Sequence, residues 1–222
     1  MWLPLLLSFA CGQDPSPEFR PLFDGKTLEG WRGFRMDHAP SSWKVVGGAI
    51  SFAPGEERGD LVTEEEFGDF ELSFEWKVSK GGNSGVMFRV TEDRDTAYAT
   101  GPEYQILDNS LLGDGGDSKT SAGSNYALHA PARDGTKIPG SWNEARILVR
   151  GPHVEHWLNG EKVVEYELRS DEWKALVAAS KFGTMPGYGL NRKGRIALQD
   201  HGNPVSYRNL RIRALSDGKG SR

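Results

Sequence analysis

Two segments of the chain place polar, chemically active side chains at every second position. Residues 101–109 read Gly-Pro-Glu-Tyr-Gln-Ile-Leu-Asp-Asn, and residues 196–202 read Ile-Ala-Leu-Gln-Asp-His-Gly. In an extended strand, Glu103 and Gln105 point away from the face that carries Tyr104. In the second segment, Gln199 and His201 share a face in the same way. A carboxylate, amides and an imidazole on one sheet face could form a site for a polar ligand. The alternative is a solvated strand, since exposed polar residues are the rule.

These segments are also part of a longer resemblance. Its pieces are residues 21–31, 82–89, 101–109, the Trp-Asn pair at 142–143, the Trp-Leu-Asn-Gly run at 157–160, and residues 196–212. Together and in this order, they resemble the 3-keto-disaccharide hydrolase domain family, formerly a domain of unknown function in bacteria that degrade glycans. The resemblance covers about residues 19–215. It implies a concanavalin-like jelly roll and an enzyme of the hydrolase type.

The resemblance further implies a reaction. The substrate carries a ketone at C3 of one sugar, which makes the proton on C2 acidic. A base removes that proton, the glycosidic oxygen leaves C1 by β-elimination, and water adds back to give a net hydrolysis. This chemistry requires a base, a cation or donor for the enolate oxygen, and an acid for the leaving group.

Polar residues within the family-like segments are the candidates for these roles. Glu103 is the predicted base, and His201 is the predicted acid or proton relay, because imidazole titrates near neutrality. Arg208 and Arg89 are predicted to hold the enolate oxygen or ring hydroxyl groups, with Arg208 counted among the catalytic residues. The predicted substrate-binding residues are Asn83, Arg89, Gln105, Asp108 and Gln199.

Several of these candidates have a structural alternative. Arg208 could pair with Asp200 or Asp108 across strands, and residues 83–85 could form a turn. Asp108 could begin the loop that follows it. Asp200 shares a face with apolar residues, so we expect it to order the His-Gly turn rather than to touch substrate.

Short strands separated by turn residues must position these side chains. Apolar and polar residues alternate from Phe70 to Val78 and again from Val86 to Val90, where Met87 and Arg89 take the second face. Gly47-Gly48 and Asn159-Gly160 predict hairpin turns, and residues 170–182 predict the one helix. The predicted fold is therefore all-β, an antiparallel two-sheet jelly-roll sandwich with one short helix. The predicted core includes Phe70, Leu72, Phe74, Trp76, Tyr104, Ile106, Ile196 and Leu198.

Composition limits the partners. A chain of 222 residues with a net charge of −4 gives no electrostatic basis for nucleic-acid binding. Seven Trp, ten Phe and six Tyr supply apolar area for a core and also suit stacking against sugar rings. The predicted partner is a carbohydrate, an oxidised disaccharide or glycoside.

The N-terminal segment predicts export. Residues 2–10 are apolar but too short to span a bilayer, and Cys11 follows them directly. This arrangement resembles the end of a bacterial lipoprotein signal, although no Lys or Arg precedes the apolar run. We therefore expect a leader at 1–11 with lipid on Cys11, a linker at 12–18, one domain at 19–215 and a tail at 216–222. The predicted location is the periplasm or cell envelope, with membrane contact only through the lipid anchor.

The sequence leaves two questions open: whether the protein binds a metal ion, and whether it is an enzyme or a binding module. Asp114 and Asp117 offer the oxygen ligands that calcium prefers, but their spacing matches no calcium loop, and no His/Cys cluster indicates zinc. No second acid follows Glu103 where a two-carboxylate glycosidase needs one, because Gln105 occupies that position. The rival hypothesis is a non-catalytic, lectin-like carbohydrate-binding module, which would have a shallow aromatic platform rather than a deep groove.

Overall fold

Two antiparallel β-sheets pack face to face with the apolar core between them. The computed structural model describes residues 18–113 and 118–215. In spatial order, the larger sheet consists of β11 (Glu161–Glu167), β10 (His153–Leu158), β9 (Asn143–Arg150), β6 (Phe70–Val78), β13 (Val205–Ala214), β4 (Ala49–Phe52) and β3 (Trp43–Val46), and β1 (Arg20–Pro21) pairs with the second half of β13. The smaller sheet consists of β2 (Trp31–Gly33), β5 (Leu61–Thr63), β12 (Arg195–Leu198), β7 (Asn83–Val90) and β8 (Glu103–Leu107).

The inner faces of both sheets carry the residues predicted for the core. All eight of them are buried, including Tyr104 and Ile106 from β8 and Ile196 and Leu198 from β12. Burial of so many large aromatic and branched side chains supplies the main stabilising term, at about 1.5–3 kcal/mol for each side chain removed from water. The predicted all-β, two-sheet jelly-roll sandwich is confirmed.

The turns and the helix also follow the sequence pattern. Gly47 and Gly48 have φ angles of 58° and 77°, and Asn159 and Gly160 have 48° and 86°, as two-residue hairpin turns require. Helix α1 (Asp171–Ala178) begins at the N-cap Ser170, whose hydroxyl accepts a hydrogen bond from the Trp173 amide. The helix ends four residues before the predicted boundary, and a 3₁₀ helix (Lys181–Thr184) follows it. Two further 3₁₀ helices are Ala97–Ala99 and Asn109–Leu112.

A bulge in β7 breaks the predicted alternation. Arg89 has a φ of 52°, and the pairing of β7 with β12 slips at this point. As a result Val90 lies with Met87 in a small apolar cluster on the outer face of the smaller sheet, and Arg89 turns the other way. The prediction that Arg89 shares a face with Met87 is therefore wrong, because one left-handed residue reverses the side-chain parity.

The edge strand β8 is covered by the segment 118–130. The amide of Gln105 donates to the Ser124 carbonyl at 3.1 Å, and the Gly123 amide donates to the Gln105 carbonyl at 2.9 Å. The Tyr126 amide adds a third bond, to the carbonyl of Glu103, at 3.1 Å. These bonds hold the segment in a fixed register against β8 and place it over one end of the outer face. Among the described residues, no helix is long and apolar enough to cross a bilayer.

Candidate active site

Polar residues gather at one end of the outer face of the smaller sheet. Asn83 lies on β7, Glu103 and Gln105 lie on β8, and Gln199 and His201 follow the end of β12. All five were predicted from the sequence as site residues, and they line one cavity of about 240 Å³, here called the inner chamber. Its full lining is Asn83, Tyr98, Glu103, Gln105, Tyr126, Lys181, Gln199 and His201.

Glu103 is the central ionisable group of the inner chamber. The residue is only 4% exposed, and segment 118–130 is hydrogen-bonded along its strand. The carboxyl group lies across β7 at Gly85, where a Cβ atom would come within 2.2 Å of Glu103 Oε1. Burial raises the pKa of Glu103 to about 8, while the positive charge of Lys181 acts in the opposite direction and Asp60 adds to the rise.

The expectation of an open polar face is thus incorrect for Glu103 and Gln105, which are both buried. A carboxyl group in this setting holds its proton at neutral pH and becomes a stronger base once ionised. It is therefore suited to proton transfer rather than to a structural ion pair.

Lys181 supplies a cation that faces Glu103. Its ammonium group lies 4.3 Å from the centre of the Tyr126 ring, 5.1 Å from that of Phe182 and 5.6 Å from that of Tyr98. Burial lowers the pKa of Lys181, and the nearby Glu103 carboxylate opposes that shift. An ammonium group held beside aromatic rings at the mouth of the chamber can stabilise a developing negative charge on a ligand.

A stack of aromatic rings fixes the position of Lys181. Phe182, the next residue, stacks on Tyr188 with 3.9 Å between ring centres and 8° between planes. Tyr188 in turn stacks on Trp173 of α1, Trp173 on Tyr166 of β11, and Tyr166 on His129. The stack ties the 3₁₀ helix to the larger sheet and to segment 118–130, which fixes the backbone position from which Lys181 reaches the chamber.

Amide groups complete the inner chamber. Gln105 Nε2 donates to Asn83 Oδ1 at 3.3 Å, and Asn83 Nδ2 donates to His201 Nε2 at 3.3 Å. The Oε1 atoms of Gln105 and Gln199 are buried and have no hydrogen-bond partner among the described residues. Buried acceptors without partners are costly, so these two oxygens are suited to the hydroxyl groups of a bound ligand.

A second, more open cavity of about 630 Å³ adjoins the first and is here called the outer chamber. Tyr98, Gln199 and His201 line both chambers and so mark the junction between them. The rest of the outer chamber is formed by Phe34, Arg58, Gly59, Asp60, Asp95, Thr96 and Asp200. Its volume is typical of small-molecule pockets, which span about 300–1,000 Å³. The two chambers together form a bent groove with Glu103 at its inner end.

The sequence profile of the 3-keto-alpha-glucoside-1,2-lyase-like domain family matches residues 18–213, most of the chain. The chain belongs to this family. It is 38% identical to the 3-keto-disaccharide hydrolase of Bacteroides thetaiotaomicron, over 87% of this chain and 77% of that protein. The predictions of the family and of a hydrolase are thereby confirmed.

Solved structures agree with this family assignment. A protein of Parabacteroides distasonis, provisionally assigned as a glycosyl hydrolase, superimposes with a TM-score of 0.81 and 33% identity, over 89% of this chain and 94% of that one. The β-agarase B of Zobellia galactanivorans has a TM-score of 0.53 at 14% identity, over 90% of this chain and 94% of that one. The second likeness concerns the fold alone.

Two arginines predicted for the site lie elsewhere in this family member. Arg208 is on the outer face of the larger sheet, where its guanidinium pairs with Glu75 at 2.7 Å and lies 4.1 Å from the centre of the Trp142 ring. The whole sandwich separates it from Glu103, so it cannot serve the same ligand. Arg89 is buried at the end of the sandwich, where it donates to Asp69 and to the carbonyls of Gly68 and Gly151. These three partners hold neighbouring turns of the sandwich together, so Arg89 has a structural role.

Two aspartates behave as the structural alternatives anticipated. Asp108 accepts hydrogen bonds from the amides of Gly81 and Ser110 and caps the 3₁₀ helix Asn109–Leu112, so it begins the following loop and does not line either chamber. Asp200 accepts from the Gly202 amide at 3.0 Å and pairs with Arg58, which orders the His-Gly turn. Asp200 therefore holds His201 in place.

The possible calcium ligands Asp114 and Asp117 lie outside the described residues. Within the described part of the chain, His153, Glu155 and Glu165 bring potential metal-ligating atoms within 4.8 Å of one another. Lys162 already contacts both glutamates, however, so this cluster on β10 and β11 is a surface charge network. Among the described lining residues of the two chambers, His201 is the one histidine and there is no cysteine, which does not make up the ligand set of a zinc site.

The sequence reasoning missed Lys181, Tyr98, Tyr126 and Asp60. Tyr126 follows the Gly/Ser-rich stretch at 110–125, whose length and composition did indicate a functional loop. Lys181 and Asp60 carry no local signal, because each reaches the site from a segment distant in sequence and has no periodic neighbours. The proximity of the buried Glu103 to Lys181 could therefore be recognised only from the three-dimensional structure.

Proposed function

We propose that this protein cleaves 3-keto-glycosides by β-elimination followed by hydration, in line with the B. thetaiotaomicron relative, whose name states a 3-keto-disaccharide substrate. The observation that carries the proposal is the buried carboxyl of Glu103, which shares the inner chamber with the ammonium of Lys181. A base beside a cation is the arrangement needed to remove a proton next to a ketone and to stabilise the resulting enolate.

Five residues of the inner chamber take a direct part in this scheme. Glu103 accepts the proton from C2, and the electron pair moves to the C3 oxygen, where Lys181 stabilises the enolate charge. As the enolate returns to the ketone, the C1–O bond breaks, and His201 gives the departing oxygen its proton. Water then adds to the C1–C2 double bond: its hydroxyl group bonds to C1 while its second proton goes to His201, and Glu103 returns its proton to C2, so both residues regain their starting state. Gln105 and Gln199 hold ring hydroxyl groups through their free oxygens.

The position of His201 supports its role as acid or relay. It lies at the junction of the two chambers, and Asn83 orients its ring through Nε2. If the keto sugar occupies the inner chamber, the glycosidic oxygen lies at this junction. Arg208, predicted for catalysis from the sequence, has no part in the scheme, and Lys181 takes over the cationic role.

The lectin-like alternative fits the site less well. A binding module needs only groups that hydrogen-bond to hydroxyls and exposed aromatic rings. It has no need of a buried carboxyl such as Glu103, whose desolvation costs free energy. Such a cost is typical of a catalytic acid or base.

Comparison of an oxidised with an unoxidised disaccharide tests the proposal. We expect release of free sugar from the 3-keto-disaccharide and none from the parent, because the parent C2 proton is not acidic. Released sugar is measured by chromatography. Rapid cleavage of the parent would show that the enzyme does not work by this elimination.

The pH dependence tests the pairing of Glu103 with Lys181. Because the base must be ionised and its pKa is about 8, the acidic limb of the kcat/KM profile should rise with pH up to about that value. Lys181→Gln removes a positive charge, so the pKa of Glu103 should increase and the rise should move to higher pH. Lys174→Gln, which changes an exposed lysine on α1, is the matched control and should leave the profile in place. An unchanged pH profile in Lys181→Gln would show that Lys181 does not affect the ionisation of Glu103.

We also propose export of the protein and lipidation of Cys11, on the basis of the apolar run before that cysteine. Mass spectrometry of the mature protein from a bacterial host should show Cys11 as the first residue with lipid attached. An intact Met1 would rule out export by this route, and an unmodified Cys11 would rule out the lipid alone.

A further inference from the structure

The outer chamber has a lining that the proposed reaction does not use. Of its residues, only His201 and Gln199 take part in the scheme above, and both stand at the junction. The remaining lining combines charged and polar groups with the rings of Phe34 and Tyr98. Aromatic faces beside hydrogen-bonding groups match a sugar, which offers CH groups on one face and hydroxyl groups around its edge.

Most of the charges in this chamber are already paired. Arg58 forms a two-bond pair with Asp200, and Asp95 contacts Arg35 at 2.6 Å. These pairs leave no free cation in the described lining to attract an anionic ligand. A neutral, polyhydroxylated ligand is therefore the class that fits best.

Asp60 is the exception among these charged groups. Its Oδ1 accepts a hydrogen bond from the Asp200 amide at 2.8 Å, and its carboxyl forms no ion pair among the described residues. The Phe34 amide donates to the Asp60 carbonyl at 2.8 Å, so the backbone is fixed as well. Oδ2 has no hydrogen-bond partner among the described residues, and a carboxyl held in this way can bind the hydroxyl group of a sugar with a charge-assisted hydrogen bond.

The environment of Asp60 agrees with a ligand-binding role. Burial raises the pKa of Asp60 to about 6, and the negative charge of Asp200 adds to the rise, although the Asp200 amide opposes it. The groups that face it are Asp200 and Arg58 beside the strand end, with Glu103 beyond the junction. A carboxylate that lacks a cationic partner gains from hydroxyl donors of a neutral ligand.

We propose that the outer chamber is the subsite for the departing sugar, and that Asp60 determines specificity there by binding its hydroxyl groups. This inference rests on the proposed function, because it places the keto sugar in the inner chamber and the scissile bond at His201. It names the leaving group as a neutral sugar rather than an alcohol or an anion.

Two substrates with the same keto sugar test the subsite. One is a 3-keto-disaccharide with glucose as leaving group, and the other is methyl 3-keto-glucoside, which leaves the outer chamber empty. Asp60→Asn keeps the acceptor for the Asp200 amide but loses the charge. We expect kcat/KM for the disaccharide to fall about 10–100-fold, as for loss of a hydrogen bond to a charged group. Both substrates are compared above pH 8, where Glu103 is ionised whether or not Asp60 carries a charge, and there kcat/KM for the methyl glycoside should change less than about twofold.

A second variant tests the chamber without changing Asp60. Thr96 lines only the outer chamber, and its side chain makes no capping hydrogen bond. Thr96→Phe should therefore block the disaccharide and spare the methyl glycoside. Asp37→Asn, at a nearly fully exposed carboxylate outside both chambers, is the control and should affect neither substrate. Equal losses of kcat/KM on both substrates, or no loss in either variant, would contradict the proposed subsite.

Direct binding separates this inference from the proposed function. If the wild type cleaves neither keto substrate, the proposed function fails, and glucose binding then decides the subsite by itself. We expect saturating glucose to shift the NMR signals of the Gly59 and Thr96 amides, which lie only at the outer chamber, and Asp60→Asn to remove these shifts. Shifts that persist unchanged in Asp60→Asn, or that are absent in the wild type, would overturn the inference.

Discussion

In Glu103→Gln, the rate on a 3-keto-disaccharide should fall about 10²–10⁴-fold, the usual effect of removing a general base. Glutamine keeps the shape of the side chain and still lies across Gly85, but it cannot accept the C2 proton. Substrate binding should persist, because the neutral amide resembles the protonated carboxyl that prevails below the pKa of about 8. Steady-state kcat together with a binding measurement on the variant checks both halves of this expectation.

Stability provides the control for folding. The folded-state pKa of Glu103 lies above its ordinary value of 4.5, so the folded protein binds this proton more tightly than the unfolded chain. Its contribution to stability is therefore full below pH 4.5 and is lost as the pH rises through about 8. Glu103→Gln removes this loss, so its melting temperature should rise relative to the wild type between pH 5 and pH 8. Glu144→Gln, an exposed glutamate on β9, should show neither effect, and wild-type rates in Glu103→Gln would place the base elsewhere.

Gly85→Ala should also inactivate the enzyme, although it removes no polar atom. The new Cβ would lie 2.2 Å from Glu103 Oε1 and 2.7 Å from its Cδ, so the carboxyl group must move. A displacement of about 1 Å in a catalytic group can cost about 10²-fold in rate. We expect a loss of that size in kcat, measured on the same 3-keto-disaccharide, with β7 still paired to its neighbours.

A double variant distinguishes this mechanism from general damage. If Gly85→Ala acts by moving Glu103, combining it with Glu103→Gln should add little to the loss from Glu103→Gln alone. Gly135→Ala is the control, because its Cβ would meet no atom closer than 3.8 Å. Fully additive losses would mean that Gly85 matters for another reason.

The sequence predicts the sandwich well because period-two alternation reflects burial on one sheet face. Phe70 to Val78, Tyr104 with Ile106, and Ile196 with Leu198 all face the core as their spacing requires. The same alternation brings Glu103 and Gln105 to the opposite face, which helps to explain why five of the eight described lining residues of the inner chamber could be predicted.

Alternation does not reveal which sheet a strand joins, nor what covers it. Arg208 alternates with core residues as Glu103 does, yet β13 belongs to the other sheet, so the two residues face opposite sides of the molecule. The prediction for Arg89 failed because Arg89 itself adopts a left-handed conformation, which reverses the side-chain alternation at that point. Lys181 and Asp60 reach the groove through long-range packing, and the burial that raises the pKa of Glu103 depends on those same segments.

The coverage of β8 by segment 118–130 has a consequence for how this enzyme could change over evolution. An exposed edge strand offers unpaired amides and carbonyls to other chains and promotes aggregation, and this segment occupies those groups with its own backbone. The same residues carry Tyr126 over the inner chamber. A shortened segment would admit larger sugars but would leave β8 open to edge-to-edge association. Substrate range and solubility are therefore coupled here, and broader specificity is more easily gained through substitutions in the outer chamber than through deletions in this loop.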